Sequence, residues 1–230
     1  MSNTNNEARK GNQKIIIRNE TEADHRTVEE LTKKAFWNLY VPGGSEHYLV
    51  HVMRRHEDFV PELDFVIEAD GQVVGSIMYT KARLVDETGA EKQILTFGPV
   101  CVLPECQRMH YGKMLIEHSF EQAAALGYDV IVIFGDPGNY VSRGFKSCKR
   151  YNVCLENGVF PTAMLVKELK PAALDGRRWF YYESPGMQID EQEAERFDES
   201  FEKMEKKCRP CQEEFYILSH SAISDDSQVE

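Results

Sequence analysis

Long hydrophobic runs are missing from this sequence. The longest apolar runs are short, for example Val130–Phe134, whereas about 20 consecutive apolar residues are needed to cross a bilayer. Residues 1–13, MSNTNNEARKGNQ, also lack the apolar segment of a secretory signal. We therefore predict a polar, disordered leader over residues 1–13, no membrane partner, and a cytoplasmic protein.

Positive charge is scarce as well. The chain has 27 Lys and Arg residues against 38 Asp and Glu residues, which gives a net charge of −11. A nucleic-acid binder needs a basic surface that displaces counterions from phosphates. We therefore expect no nucleic-acid partner, and the acidic balance is compatible with a cationic small substrate such as an amine.

Closely spaced cysteines are limited to one pair among the six, Cys208 and Cys211 in CRPC. One C-x-x-C motif supplies two metal ligands, whereas a structural zinc needs four. No second pair or histidine lies at the required spacing, so we predict no metal. Free thiols are the main interpretation, and a redox pair is the alternative.

Signals for short strands and amphipathic helices alternate from Lys14 onward. Apolar residues at helical spacing, among them Val28, Leu31 and Phe36, predict the first helix. Asp70-Gly71 between apolar runs predicts a hairpin. The predicted order is β-α-α-β-β-β-α-β-α-β-β, which a central mixed sheet with helices on its faces would bury.

The composition changes after Pro171. The run GRRWFYYESPG predicts one more strand, and we interpret its aromatic cluster Trp179–Tyr182 as core or dimer contact, with a wall of a binding site as the alternative. The charged run at 189–207 predicts a helix in which Glu202 and Lys206 are spaced i, i+4. The polar tail from Ser219 is predicted to be loose.

The stretch CQRMHYGKML, at 106–115, connects a strand signal to a helix signal. The first N–H groups of a helix have no partners within the helix and carry partial positive charge. Gly112 would let a phosphate approach these groups, and Arg108 and Lys113 would add charge. His110, however, stands where a glycine-rich turn would carry its first glycine.

Two motifs at a fixed separation resemble those of the GCN5-related N-acetyltransferase (GNAT) family. The first motif is Q-x-x-G-x-G. Gln107 and Gly112 match its first and last positions, and His110 replaces its first glycine. The second, Tyr followed after three residues by Gly-Phe, is met by Tyr140 and Gly144-Phe145. The flanking motifs G-P-x-x-V-x-P, from Gly98, and G-D-P, from Gly135, resemble bacterial small-molecule-type members.

The resemblance covers roughly Lys14 to Lys170 and implies an α/β fold with helices on both faces of a mixed, mostly antiparallel sheet. In that fold the parallel strands 93–102 and 128–135 splay apart to form a cleft. The implied organisation is an acetyltransferase domain over 14–172, followed by a C-terminal extension over 173–230 with a strand and the charged helix.

The resemblance also implies acetyl-coenzyme A (acetyl-CoA) as the co-substrate. The pyrophosphate would lie on backbone amides from about Arg108 to Lys113, and the pantetheine arm would pair with the strand at Val100 and Val102. The amide of Val100 would polarise the thioester carbonyl, and Tyr140 would protonate the leaving thiolate as general acid. The implied cofactor-binding residues are Val100, Cys101, Val102, Gln107, Arg108, Met109, His110, Tyr111, Gly112, Lys113 and Asn139.

The implied reaction is direct attack by a primary amine on acetyl-CoA through a tetrahedral intermediate. Some family members carry a glutamate as base where this chain has Thr96, which cannot serve. Four acidic or histidine residues lie in segments that border the acceptor cleft in the family: Glu46, His47, Glu62 and Asp64. We interpret all four as solvated surface groups, and we assign no base. We expect a small-molecule rather than a protein acceptor, and a homodimer is left open.

Two other functions compete with an acetyltransferase. A non-catalytic acyl-CoA sensor or interaction module on the same fold is the alternative, because His110 and Thr96 both depart from the family pattern. A dinucleotide-binding enzyme is disfavoured, since its fingerprint needs more glycines and an acidic ribose ligand about 20 residues further on.

Overall fold

The computed structural model describes residues 6–10 and 13–225. Its strands are β1 (Asn6–Lys10), β2 (Gln13–Asn19), β3 (Phe65–Ala69), β4 (Gln72–Asp86), β5 (Glu91–Val102), β6 (Val130–Phe134), β7 (Lys146–Ser147), β8 (Val153–Leu155), β9 (Phe160–Pro161), β10 (Met164–Glu168), β11 (Trp179–Tyr182) and β12 (Ala222–Ile223). Its helices are α1 (His25–Phe36), α2 (Glu46–Met53), α3 (Tyr111–Ala125), α4 (Pro137–Tyr140), α5 (Glu191–Asp198) and α6 (Pro210–Ser219).

One mixed sheet organises the molecule, in the order β1-β2-β3-β4-β5-β6-β10-β7. Strand β11 joins the far end of β4 and carries β8 beside it, while β9 and β12 form a separate pair. The pairings are antiparallel except for β5–β6 and β11–β8, which are parallel. The predicted fold class, a mostly antiparallel mixed sheet with helices on both faces, is confirmed.

Strands β5 and β6 diverge, as predicted for the cleft. In the part of the chain that the structure describes, their parallel register is limited to Leu95 opposite Ile131. On its other edge β5 pairs with β4 as far as Val102, with a bulge where Gly98 and Pro99 interrupt the register. Pro99 has no N–H to give to a sheet ladder, so an irregularity at this point is expected.

The core follows the alternation of side chains across the strands. Ile67 and Leu95 face α3, which contributes Leu115 and Phe120 to the largest buried cluster. Val66 lies in a second cluster, with Val28 and Leu31 of α1. Helix α3 therefore covers one face of the sheet, and α1 with α2 covers the other.

The predicted helix over 189–207 is wrong in its extent. Helix α5 ends at Asp198, the following segment to Arg209 is not helical, and α6 begins at Pro210. In the charged segment Phe201 is buried, whereas residues 202–209 are exposed, so they have no face that packs against the core as a helix would. The carbonyls of this segment instead accept hydrogen bonds from α1 and the residue after it: Lys33 Nζ donates to Glu202 O (3.0 Å), and Trp37 Nε1 donates to Glu205 O (3.1 Å).

Both predicted loose ends contain paired backbone. Asn6–Lys10, within the predicted leader, pair antiparallel with β2 and so give hydrogen-bond partners to backbone groups along that edge of β2. Residues 1–5, 11 and 12 lie outside the described residues. In the tail, β12 pairs with β9, and Asp225 forms ion pairs with Lys149 and Arg178.

The strand predicted after Pro171 is present as β11. Trp179 and Tyr181 are buried in a cluster with residues of β6, β8 and β10, which agrees with the core interpretation of the aromatic cluster. The extension thus shares the sheet of the preceding residues, and a domain boundary near 172 stays a prediction. Over residues 6–10 and 13–225, no helix is both long enough and apolar enough to span a membrane.

Candidate active site

The turn before α3 has the backbone of an anion cradle. His110 is the N-cap of α3 with φ 68° and ψ 9°, in the left-handed region, and Arg108 also has a positive φ of 63°. His110 makes no side-chain capping bond. The first bond of the helix runs from Met114 N to His110 O (3.0 Å), so the preceding N–H groups have no partner within the helix. Histidine at this turn therefore keeps the conformation that glycine usually supplies.

The side chains predicted along this turn divide into two groups. Arg108, Met109, His110 and Lys113 are exposed around the start of the helix. Tyr111, by contrast, is buried in the core and donates from its hydroxyl to Gln13 Oε1 (2.9 Å). Tyr111 can therefore offer a ligand only its backbone amide.

Cys101 has the same restriction on β5. Its Sγ lies 3.4 Å from Ser76 Oγ and 3.5 Å from Thr32 Oγ1, on the α1 side of the sheet, and burial raises the pKa of its thiol. Val100 and Val102 are partly buried on the α3 side. Gln107 Nε2 donates to Val102 O at 3.3 Å, so the first motif is tied to the end of β5.

Tyr140 lies between the ends of the diverging strands. Its ring centroid is 5.8 Å from those of Phe97 on β5 and Phe145. At the end of β6, a β-carbon added to Gly135 would lie 2.6 Å from its Cε2 atom. Burial raises the pKa of Tyr140 above its ordinary value, and the neighbouring Tyr40 acts in the same direction. The phenol therefore stays protonated at neutral pH.

The second motif holds Tyr140 through its backbone. Gly144 has φ +87°, which favours glycine, and an added β-carbon would lie 2.7 Å from Lys167 Nζ. That ammonium donates to Arg143 O (2.9 Å). Phe145 is 1% exposed and its N–H donates to Tyr140 O (3.4 Å). The Tyr-x-x-x-Gly-Phe spacing thus reflects one tight turn anchored in the core.

A cavity of about 680 Å³ lies beside this turn. Its floor is the end of β6 and the start of α4, its side is the loop between α1 and α2, and its roof is α6. The lining residues are Leu39, Tyr40, Phe134, Gly135, Asp136, Asn139, Leu155, Pro161, Ala163, Cys211, Glu214, Phe215, Leu218 and Ser219. Sequence reasoning missed the roof, although the apolar residues of FYIL were a signal for a second helix.

A second, basic groove of about 520 Å³ lies beside Gln107 and shares Leu39 with the cavity. Lys34, Lys207 and Arg209 contribute its cationic side chains. The segment 204–209 forms one of its walls, so the C-terminal extension borders both compartments. This groove was also missed, because its lysines and arginine come from distant parts of the sequence.

Three residues interpreted as solvated surface groups are not on the surface, and that interpretation is wrong. His47 is 1% exposed, with Nε2 3.0 Å from Asp198 Oδ1 of α5, and Asp64 is also buried. Glu46 is partly buried; its Oε2 is inaccessible and has no hydrogen-bond partner within the described residues. Burial raises the pKa of Glu46. Burial also raises the pKa of Tyr40, and the charge of Glu46 acts in the same direction.

Among the described residues, no group of three or more His, Cys, Asp or Glu side chains is arranged to hold a metal ion. All six cysteines are free thiols. Cys208 is exposed, whereas Cys211 lines the cavity and donates from Sγ to Leu39 O (3.2 Å).

Comparison with known proteins identifies the class to which this fold and site belong. Residues 33–147, half of the chain, match the model of the acetyltransferase (GNAT) family. The uncharacterized N-acetyltransferase YhbS of Escherichia coli is 26% identical over 163 residues, which cover 70% of this chain and 92% of that protein. YjhQ, also an uncharacterized N-acetyltransferase of E. coli, is 26% identical over 126 residues, covering 55% of this chain and 66% of YjhQ, just under two thirds of its length.

Solved structures show the same fold. The crystal structure of E. coli YhbS in complex with CoA has a TM-score of 0.64 at 23% identity, covering 76% of this chain and 93% of that one. A GNAT family acetyltransferase from Brucella melitensis in complex with acetyl-CoA has a TM-score of 0.59 at 25% identity, covering 76% and 98%.

The chain therefore belongs to the GNAT family of acetyltransferases. The predictions of an acyltransferase and of acetyl-CoA as its co-substrate are confirmed at the level of the family.

Proposed function

We propose that this protein transfers the acetyl group of acetyl-CoA to a primary amine by direct attack, through a tetrahedral intermediate. The observation that carries the proposal is the position of Tyr140, whose partly buried ring lies against Phe97 and Gly135 between two diverging parallel strands. In addition, the related proteins from E. coli and B. melitensis bind CoA and acetyl-CoA.

The residues around the start of α3 fit the pyrophosphate of the co-substrate. Free amides between His110 and Lys113 lie at a helix N-terminus, where partial positive charge accumulates. The exposed Arg108 adds a cation. His110 adopts the left-handed conformation at the N-cap that precedes these amides. The pantetheine arm would pair with the edge of β5 at Val100 and Val102, which β6 leaves open.

The chemistry then requires one polarising donor and one acid. The amide of Val100 would hydrogen-bond the thioester oxygen, where negative charge develops as the C–N bond forms. When the C–S bond breaks, Tyr140 would donate a hydrogen bond and a proton to the thiolate, and the proton lost by the amine would restore the phenol. Asn139, one residue before Tyr140, lines the cavity of about 680 Å³ described above and would contact the co-substrate.

We further propose a small-molecule acceptor, because the partly open cavity next to Tyr140 has a volume of about 680 Å³ and α6 covers one side of it. Six free thiols support a reducing compartment, and we propose the cytoplasm. A homodimer stays a prediction.

Thiol release from acetyl-CoA across a panel of amines tests the proposal. We expect turnover in the wild type and a fall in kcat of about a hundredfold in Tyr140→Phe, the range of general acid catalysis. Calorimetry should give equal acetyl-CoA affinity for the two proteins. Saturable binding without thiol release would identify a sensor instead, and no saturable binding at millimolar acetyl-CoA would refute the cradle.

A further inference from the structure

The roofed cavity has a chemical character that bears on the acceptor, if the proposed function holds. Gly135, Asp136 and Asn139 line the cavity, and Gly135 is in contact with the ring of Tyr140. A molecule in the cavity would therefore lie against Gly135, on which the ring of Tyr140 packs. These three lining residues belong to the segment that directly precedes Tyr140, the proposed general acid, in the sequence.

Its walls are mainly apolar. Phe134 at the end of β6 is 46% exposed, Phe215 of α6 is 36% exposed, and both side chains line the cavity. Leu39, Tyr40 and Leu218 complete an aromatic and aliphatic enclosure. An occupant with an apolar body would gain about 25 cal/mol for each Å² it buries, and a strongly hydrated polar body would forfeit that gain.

The charge of the lining is of one sign. Asp136 and Glu214 contribute carboxylates, and none of the residues that line the cavity is Lys, Arg or His. The cations of the C-terminal segment, Lys207 and Arg209, belong to the other compartment, beside Gln107. The cavity therefore favours a cation and disfavours a ligand that carries a carboxylate or phosphate.

Helix α6 is held over the cavity by specific contacts. The ring of Phe215 stacks on that of Tyr40 with centroids 4.4 Å apart. Gln212 Nε2 donates to Asn38 O (3.1 Å), and Cys211 Sγ donates to Leu39 O (3.2 Å). The roof is thus tied to the loop between α1 and α2, and its side chains limit the size and polarity of what can enter.

We infer that the acceptor is a monoamine with an apolar, aryl or branched alkyl body and no carboxylate, bound beneath α6 with its ammonium near Asp136 and Glu214. This inference rests on the proposed function. It assigns acceptor selection to residues of the C-terminal extension, far in sequence from the acetyl-CoA motifs. The bound ammonium must lose its proton before attack.

Three amines test the inference in the full-length protein: phenethylamine; phenylalanine, which adds a carboxylate; and spermidine, which adds positive charge and lacks an apolar ring. We expect kcat/KM for phenethylamine to exceed the others at least about tenfold, which corresponds to about 1.4 kcal/mol. Phe215→Ala should lower this value about tenfold. Glu214→Gln should lower it about threefold, as expected for an exposed charge pair.

Matched controls lie on the same helix. Ile217→Ala removes an apolar side chain that is 58% exposed and does not line the cavity, and Glu213→Gln removes a neighbouring carboxylate outside it. Both should stay within about twofold of the wild type. Should Phe215→Ala unfold, as judged by circular dichroism, Phe215→Leu replaces it and should lower kcat/KM in the same direction.

A preference for spermidine or phenylalanine, or equal effects of variants and controls, would overturn the inference while thiol release upheld the acetyltransferase. If acetyl-CoA bound but no amine of the wider panel released thiol, the proposed function itself would fail. Thiol release, rather than acetyl-CoA binding, separates these two results.

Discussion

The ring of Tyr140 lies against the α-carbon of Gly135, so closely that a β-carbon at position 135 would be 2.6 Å from Cε2 and 3.1 Å from Cδ2. Two backbone segments therefore determine where the phenol stands: the end of β6, which carries Gly135, and the turn that carries Tyr140. Any side chain at 135 would displace the ring or the strand.

Gly135→Ala is expected to lower kcat about as much as Tyr140→Phe, because the β-carbon pushes the phenol out of position. The decisive measurement is a double-mutant cycle. If Gly135 acts through Tyr140, adding Gly135→Ala to Tyr140→Phe should change kcat less than about twofold. Additive losses in the double variant would instead mean that Gly135 contributes independently, for example by direct approach to the substrate.

The left-handed turn at His110 leads to a second prediction. A non-glycine residue pays roughly 1–2 kcal/mol in this conformation, and a β-branched residue fits it worst. His110→Val should therefore lower the free energy of unfolding by about 1–3 kcal/mol and weaken acetyl-CoA binding, since the amides of the turn would reorient. His110→Gly should match or exceed the wild type in both. Urea unfolding and calorimetry measure the two effects.

Met109→Val is the control for this turn. Met109 is adjacent to His110 and exposed, and its φ is not positive. The free energy of unfolding of Met109→Val should therefore differ from that of the wild type by less than about 0.5 kcal/mol. Equal losses at 109 and 110 would show that the backbone conformation of His110 is not the cause.

Asp64 leads to a prediction about pH. Burial and the nearby charge of Glu20 raise the pKa of the Asp64 carboxyl, against the opposing effect of Arg54. A raised folded-state pKa means that the stabilising contribution is complete below about pH 4, the ordinary pKa, and declines as pH rises toward the folded value. Asp64→Asn removes this titration, so the stability of the wild type relative to the variant should fall between pH 5 and pH 8.

Urea unfolding of both proteins at several pH values measures the difference; one unit in pKa corresponds to about 1.4 kcal/mol. Glu62→Gln, an exposed acid two residues away, should show no such trend. A wild type whose stability relative to Asp64→Asn rose with pH would contradict the raised pKa.

Asn38 links the C-terminal segment to the loop that carries Tyr40. Its Nδ2 donates to Glu205 O (2.9 Å), and its Oδ1 accepts from the N–H groups of Gly43 (2.8 Å) and Lys207 (2.9 Å). Asn38→Gly retains the positive φ of 62° but loses these bonds. We expect trypsin to cleave the exposed Lys203–Lys207 segment several times faster, because each bond contributes about 1 kcal/mol.

Asn157→Gly is the comparison for Asn38. The Asn157 side chain accepts from Val159 N (3.1 Å), in a turn remote from this segment, and its loss should leave cleavage between 203 and 207 unchanged. Faster cleavage in both variants would indicate general destabilisation rather than release of the C-terminal segment.

Local signals determined much of the candidate site. The start of α3 at Tyr111, the turn at Gly144-Phe145 and the hairpin at Asp70-Gly71 depend on backbone preferences of residues adjacent in the chain, which sequence patterns report directly. The family resemblance carried by the motifs at Gln107 and Tyr140 then implied where acetyl-CoA binds, and this position stays a prediction.

Burial of charged groups and the partner of each helix were decided by tertiary structure alone. Charge density predicted a helix through 207, yet the segment after Asp198 is held by Lys33 and Trp37. Phe215 lies 175 residues from Tyr40 and still forms the roof of the cavity with it. His47 was predicted to be a surface residue, but α5 packs over it and buries it. Apolar and charged side chains gain or lose free energy according to what covers them, and that depends on contacts between distant segments that no local pattern specifies.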